Sequence, residues 1–212
     1  MDCTSRMVAL LGVVRKEMNG AALDSLRYYG ADYGLNYGAP ITALRAIARK
    51  EGADDEFARF LYRQQVRELR IVALWIAEPD KTTPADFPFW AAGIVNSEVA
   101  EQAAQALLSR IADTGTLLRE WCDSDNELLA YAALLAASRS GGVTPARAYE
   151  AVRHIAERFP DNHLAAQGAT ALLSAVATHD NECEKVRKFL AELPDNPTVA
   201  VIRDELSWRL EY

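Results

Sequence analysis

The chain has 212 residues and a net charge of −7; half of its residues are apolar and a quarter are charged. This length and composition predict a globular protein with a sizeable core that forms one domain over residues 1–212. No apolar run approaches the roughly 20 residues of a membrane span. The acidic balance argues against a protein dedicated to nucleic acids, because phosphate contacts supply much of the affinity of such proteins.

The first half of the chain has apolar residues at helical spacing almost throughout. One long irregular stretch interrupts the pattern, YYGADYGLNYGAP at residues 28–40, which is rich in glycine and tyrosine. Proline is tolerated in a first helical turn and glycine often ends a helix, so these residues set several boundaries. The predicted helical segments are Thr4–Met18, Ala22–Tyr29, one between Pro40 and Gly52, and a helical pattern from Ala53 to Pro79.

The second half begins with a linker from Asp80 to Pro88. Short breaks such as SGGVTP and FPDN then separate a series of helical patterns. The predicted helices are about Pro88–Gly93, Ser97–Asp113, Thr116–Cys122, Asp125–Ser138, Pro145–Phe159, Asn162–His179, Glu182–Glu192 and Pro197–Leu210.

Many helices joined by brief turns predict an all-α fold in which helices pack on helices. Alanine is abundant at 100–106, 130–137 and 165–177, and small side chains let helix axes approach closely. Helix pairs recur at roughly 35–40 residues, which is the spacing of a HEAT-like solenoid. We therefore predict a stack of HEAT-like helix pairs, with an irregular helical bundle as the alternative.

Two stretches of the chain resemble a known family. The first is GAPITALRAIARK at 38–50, followed by FLYRQQVRELRIVA at 60–73, and the second is WCDSDNE at 121–127. Their order and spacing are similar to those of the AlkD-type DNA alkylation repair family, over roughly residues 25–190. The resemblance implies a right-handed α–α superhelix of HEAT-like repeats that grips duplex DNA in a concave basic groove, with no metal or cofactor.

Active members of that family release alkylated purines with an aspartate flanked by aromatic residues and a nearby arginine. The resemblance places Glu101 at the aspartate, and Ser97 and Ala171 at two tryptophans. Glutamate keeps the charge that would stabilise a cationic sugar, but it moves that charge by one methylene. Both arginines expected after Asn126 are missing. The segment IRDELSW at 202–208 looks closer to the second tryptophan motif but lies about one repeat too far along.

Four residues are candidates for contact with nucleic acid. Arg45, Arg49 and Lys50 lie at the end of one predicted helix, where they could bind phosphates or offset the helix dipole. Tyr131 could replace a lost aromatic residue of the family's groove.

Several patterns allow both a functional and a structural interpretation. Glu98 and Glu101 could offer a displaced catalytic carboxylate or be acids in the first turn of a helix. Arginines at 59, 63, 67 and 70 could bind phosphates, lie on a solvated face or form ion pairs between helices. The loop tyrosines could stack on bases or pack the loop, and the tryptophans are expected in the core or lining a groove. These are Tyr28, Tyr29, Tyr33, Tyr37, Trp75, Trp90, Trp121 and Trp208.

The uneven charge limits where DNA could bind. Residues 1–75 hold 11 Lys and Arg against 9 Asp and Glu, whereas residues 76–212 hold 12 against 21. DNA binding therefore requires a local positive strip on the concave face. Cys3, Cys122 and Cys183 are too widely spaced for a disulfide framework or a zinc site, which favours the cytoplasm.

Three hypotheses follow from the sequence. The first is a catalytically degenerate family member that binds duplex or structured DNA. The second is an active glycosylase that uses Glu101, and the third is a HEAT-like scaffold that binds a protein partner. The chain is expected to act as a monomer and away from membranes.

Overall fold

The computed structural model describes residues 2–28, 33–179 and 182–207. In these ranges the secondary structure is helical, apart from one isolated parallel bridge between Leu35 and Val66. Within the same ranges, no helix is long and apolar enough to cross a membrane. The α-helices are α1 (Cys3–Val14), α2 (Gly20–Tyr28), α3 (Ile41–Glu51), α4 (Asp55–Tyr62), α5 (Arg67–Ile76), α6 (Phe87–Ala91), α7 (Ser97–Ala106), α8 (Thr114–Cys122), α9 (Glu127–Ser140), α10 (Pro145–Arg158), α11 (His163–Ala177), α12 (Cys183–Glu192) and α13 (Pro197–Ser207).

The helices form two layers. In one layer α3, α5, α7, α9, α11 and α13 each pack against the next, and we call these six helices the continuous row. In the other layer α4 packs on α5, α8 on α9, and α10 on both α8 and α11. This is the arrangement expected for stacked helix pairs, and the predicted HEAT-like all-α fold is confirmed.

Asparagine caps mark the repeat. Asn96, Asn126, Asn162 and Asn196 each accept a hydrogen bond from a backbone N–H in the first turn of the helix that follows. These caps bind backbone N–H groups of the first helical turn that would otherwise lack a partner. Each capping asparagine is followed four residues later by an alanine. The caps are 30, 36 and 34 residues apart, so most repeats are shorter than the predicted spacing.

Helix α9 lies at the centre of the core and is buried along most of its length between α7, α8 and α11. Gly168 permits its close approach to α11. A methyl group added at Gly168 would lie 2.9 Å from Leu134 Cδ1 and 3.0 Å from Leu134 Cβ, closer than packed carbon atoms normally come. The alanine-rich and glycine-containing faces of these helices therefore set their close packing.

Two predicted helical stretches are interrupted in the structure. The pattern from Ala53 to Pro79 divides into α4 and α5 around a turn. The stretch predicted as Ser97–Asp113 ends as α-helix at Ala106 and continues as a short 3₁₀ turn, Leu108–Arg110. This break buries both Leu107 and Leu108 in the core. The predicted roles of Tyr29 and Trp208 lie outside the described residues.

Candidate nucleic-acid interface

Arg45 on α3 is a cation of the continuous row that residues of two neighbouring helices hold in place. Its Cζ lies 4.6 Å from the ring centroid of Trp75 on α5, and its Nη2 donates a 2.6 Å hydrogen bond to Gln105 Oε1 on α7. The Trp75 indole N–H donates in turn to Gln102 Oε1, at 3.2 Å. We call Arg45, Trp75, Gln102 and Gln105 the Arg45 cluster. It joins three successive helices of the row.

The charge of Arg45 is not neutralised by any described residue. Its partners in the cluster are an aromatic ring and a neutral amide, and no described carboxylate lies within 4.0 Å of its guanidinium nitrogens. By contrast, Arg6 pairs with Asp54 at 2.6 Å and Arg67 with Glu98 at 2.6 Å. The Arg45 Nε is also buried without a hydrogen bond to a described residue. The cluster thus holds an available positive charge in a fixed place.

Glu101 and Tyr131 form the next contact along the row. Glu101 lies one helical turn before Gln105 on α7 and is exposed. The Tyr131 hydroxyl on α9 donates to Glu101 Oε1 at 3.1 Å, and the Tyr131 side chain is otherwise buried. Burial and then the neighbouring Glu101 carboxylate raise the pKa of Tyr131, so its hydroxyl stays protonated and remains a donor. We call the Arg45 cluster together with Glu101 and Tyr131 the α3–α9 band.

Three further cations lie on the same helices. Arg49 and Lys50 are exposed in the last turn of α3, following Arg45. Arg139 is exposed in the last turn of α9, two turns beyond Tyr131, and its charge opposes the rise in the pKa of that tyrosine. Cations in a last helical turn are stabilised by the helix dipole. Together with Arg45, these three cations outnumber Glu101, the carboxylate of the band, although the chain as a whole is acidic.

The second carboxylate of the predicted pair, Glu98, has a structural role. It accepts two hydrogen bonds from Arg67, at 2.6 Å and 2.8 Å, and contacts the Tyr33 hydroxyl. Arg67 also donates to Ala39 O at 2.8 Å and to the fully buried Glu68 at 3.1 Å. This buried network ties the 33–39 segment to α5 and α7.

The arginines at 59, 63, 67 and 70 also contribute mostly to the structure of the protein. Arg59 pairs with Asp55 and Asp86, at 2.6 Å and 2.9 Å. Arg67 and Arg70 are buried, whereas Arg63 alone of the four is exposed. Ion pairing and burial leave at most Arg63 for an external phosphate. The structure therefore favours the ion-pair interpretation for Arg59 and Arg67.

The residues expected for glycosylase chemistry are not assembled around Glu101. Ser97 occupies the first turn of α7, Ala171 lies on α11, and the α9 segment that follows Asn126 presents alanines and leucines in place of arginines. No group of three or more His, Cys, Asp or Glu side chains in the described ranges could hold a metal ion. The band offers the Arg45 cation, an aromatic ring, neutral amides and one tyrosine-bound carboxylate, and Arg49, Lys50 and Arg139 add cations on the same helices.

Sequence comparison assigns the family. Residues 14–205 match the family model described as DNA alkylation repair enzyme, so the chain belongs to the DNA alkylation repair enzyme family. A comparison with the curated proteins finds no match. The family suggested by the sequence motifs is confirmed.

Structural comparison supports the fold. The chain is similar to a solved structure from a new family of proteins related to the HEAT-like repeat DNA glycosylases with affinity for branched DNA structures. The TM-score is 0.77 at 17% sequence identity, and the match covers 99% of this chain and 95% of that one.

The structure links three of the residues singled out from the sequence, Arg45, Glu101 and Tyr131, into one band. The sequence did not identify Gln102 and Gln105, and it placed Trp75 in the core or at the lining of a groove. A usable signal was present, because Glu101 and Gln105 are four residues apart and so share one face of a helix.

Proposed function

We propose that this protein is a catalytically degenerate member of its family that binds duplex or branched DNA through the α3–α9 band. The observation that carries the proposal is Arg45, a positive charge fixed by neutral partners and without a carboxylate partner among the described residues. Phosphate is the ligand that such a guanidinium recognises best, because its planar N–H groups match phosphate oxygens. Arg49, Lys50 and Arg139 add charge on the same helices.

Loss of catalysis is supported by what surrounds Glu101. Stabilisation of a developing sugar cation depends on a carboxylate held in place in a site that excludes water. Glu101 is exposed, and alanine or serine stands where the family's tryptophans would pack on the lesion. Tyr131 contacts the carboxylate but supplies no positive charge to hold a phosphate. We therefore expect no release of alkylated purines.

Binding is tested by fluorescence anisotropy with a labelled paired duplex and a labelled four-way junction, over a series of salt concentrations. The proposal predicts binding that weakens as salt rises, since each neutralised phosphate contributes about −0.9 to the slope of log K against log salt. Arg45→Gln should weaken binding about tenfold and reduce the magnitude of the slope by about 1. Arg187→Gln, in an exposed pair on α12, is the matched control and should bind normally.

The same experiments separate the other two hypotheses. Release of alkylated purine from damaged DNA that Glu101→Gln abolishes would establish an active glycosylase instead. No binding to either DNA at low salt would remove the DNA function and leave the protein-binding scaffold. The monomeric state and the cytoplasmic location stay predictions, which sedimentation and cell fractionation can test.

A further inference from the structure

We propose that Trp75 and Arg45 form a stacking platform for an unpaired nucleotide. This inference rests on the proposed DNA binding, and it names the part of the DNA that the Arg45 cluster contacts. The platform consists of the Trp75 ring, the Arg45 guanidinium that lies over it and the two glutamines that bind them.

Trp75 differs from the other tryptophans of the described residues. Trp90 and Trp121 are buried, and both pack against aromatic neighbours in the core. Trp75 is only partly buried, and it lies on the continuous row beside the exposed residues of α3 and α7. Its indole N–H is used by Gln102, so a polar partner fixes the ring in its present orientation. A partly exposed tryptophan held in this way is suited to contact a ligand through its ring surface.

Arg45 extends this surface and adds charge. Its guanidinium, 4.6 Å from the Trp75 ring centroid, is itself a planar group on which a base can stack. Gln105 holds one end of the guanidinium and is itself exposed, so its amide N–H groups remain available to the edge of a base. The cluster therefore combines a stacking surface, a cation for the phosphate and an amide for the base. These three groups suit the face of a base, the phosphate and the edge of a base in one nucleotide.

An unpaired nucleotide fits this platform better than a base pair does. In a duplex the faces of each base are covered by its neighbours, and only phosphates and base edges are accessible. An unpaired base offers its face to aromatic and guanidinium planes, and such stacking tolerates any base. Arg49 and Lys50 lie beyond Arg45 on α3 and could hold the phosphates of the adjoining paired segment.

The test compares two DNA duplexes of the same sequence, one fully paired and one carrying a bulge of three thymidines, by intrinsic tryptophan fluorescence and by anisotropy. The proposal predicts that the bulged duplex quenches the fluorescence of Trp75 and that the paired duplex does not. Trp75→Leu should abolish this quenching and weaken binding of the bulged duplex about tenfold, several-fold more than it weakens binding of the paired duplex. Circular dichroism and thermal melting show whether the variant remains folded.

Arg45→Lys provides a second variant, because lysine keeps the charge and lacks the planar group. It should weaken binding of the bulged duplex several-fold more than that of the paired duplex. Two results would overturn the platform while leaving DNA binding intact. One is equal quenching of tryptophan fluorescence by both duplexes, and the other is an equal loss of affinity for both duplexes in each variant. If neither duplex binds at low salt, both the platform and the proposed function are wrong.

Discussion

Replacing Arg67 by methionine removes the charge at the centre of the buried network between α5, α7 and the 33–39 segment. The Arg67 side chain is 4% exposed, and it donates two hydrogen bonds to Glu98 and one each to Ala39 O and Glu68. Breaking a buried ion pair by removing one partner costs about 3–5 kcal/mol, because the remaining charge is left uncompensated. We expect a loss of about 4 kcal/mol for Arg67→Met and a similar loss for Glu98→Leu.

The double variant shows whether these losses arise from one interaction. Removing Glu98 when Arg67 is already absent no longer strands a cation, so the double variant should lose much less than the sum of the singles. The coupling energy should be about 3 kcal/mol. Urea unfolding followed by far-ultraviolet circular dichroism measures each free energy of unfolding. Arg187→Met removes an exposed ion pair on α12 and should cost under about 1 kcal/mol. Additive single losses, or an Arg67→Met loss as small as this control, would refute the argument.

Two further predictions concern packing and pH. Gly168→Ala should destabilise the protein by about 1–2 kcal/mol, because the added methyl group overpacks the contact between α9 and α11. Gly12→Ala in α1 has open space around it and should stabilise the protein by up to about 1 kcal/mol. Thermal melting of the two variants gives the sign of each change, and a stabilising Gly168→Ala would contradict the packing described for α9 and α11. The hydrogen bond from Arg6, followed by the cap bond from the backbone, lowers the pKa of Asp54. Its contribution to stability is therefore complete above the unfolded-state pKa of about 3.9 and is lost as pH falls through the lower folded-state pKa. Asp54→Asn keeps the helix cap and should reduce the fall in the free energy of unfolding as the solution is made acidic. Urea unfolding between about pH 2 and pH 6 measures this fall. An unchanged fall would show that Asp54 does not cause it.

Much of the fold is predictable from the sequence because local signals agree with the packing. Apolar residues at helical spacing, prolines at helix starts and glycines at helix ends predict nearly all the helices of the described ranges. The repeated asparagine caps at Asn96, Asn126, Asn162 and Asn196 also carry the repeat length. The break at Leu107 is not predictable from periodicity, because tertiary burial of two adjacent leucines outweighs continuation of the helix.

The site is harder to predict because its partners are distant in the sequence. Arg45 and Gln105 are 60 residues apart, and Tyr131 and Glu101 are 30 apart. Sequence alone also leaves open which cations face solvent. Arg67 and Arg45 are both arginines on helices. Arg67 forms ion pairs with Glu98 and with the buried Glu68, whereas the contacts of Arg45 in the described part of the chain are one neutral amide and one aromatic ring.

The proposed function depends on the charge that Arg45 presents to DNA. The most direct measurement is the salt dependence of DNA binding by the unaltered protein and by Arg45→Gln, side by side with the Arg187→Gln control. We expect a linear decrease of log K with log salt, with a slope reduced in magnitude by about 1 and about tenfold weaker binding in Arg45→Gln. Equal affinity and equal slope for all three proteins, or no binding at low salt, would show that Arg45 does not have this role.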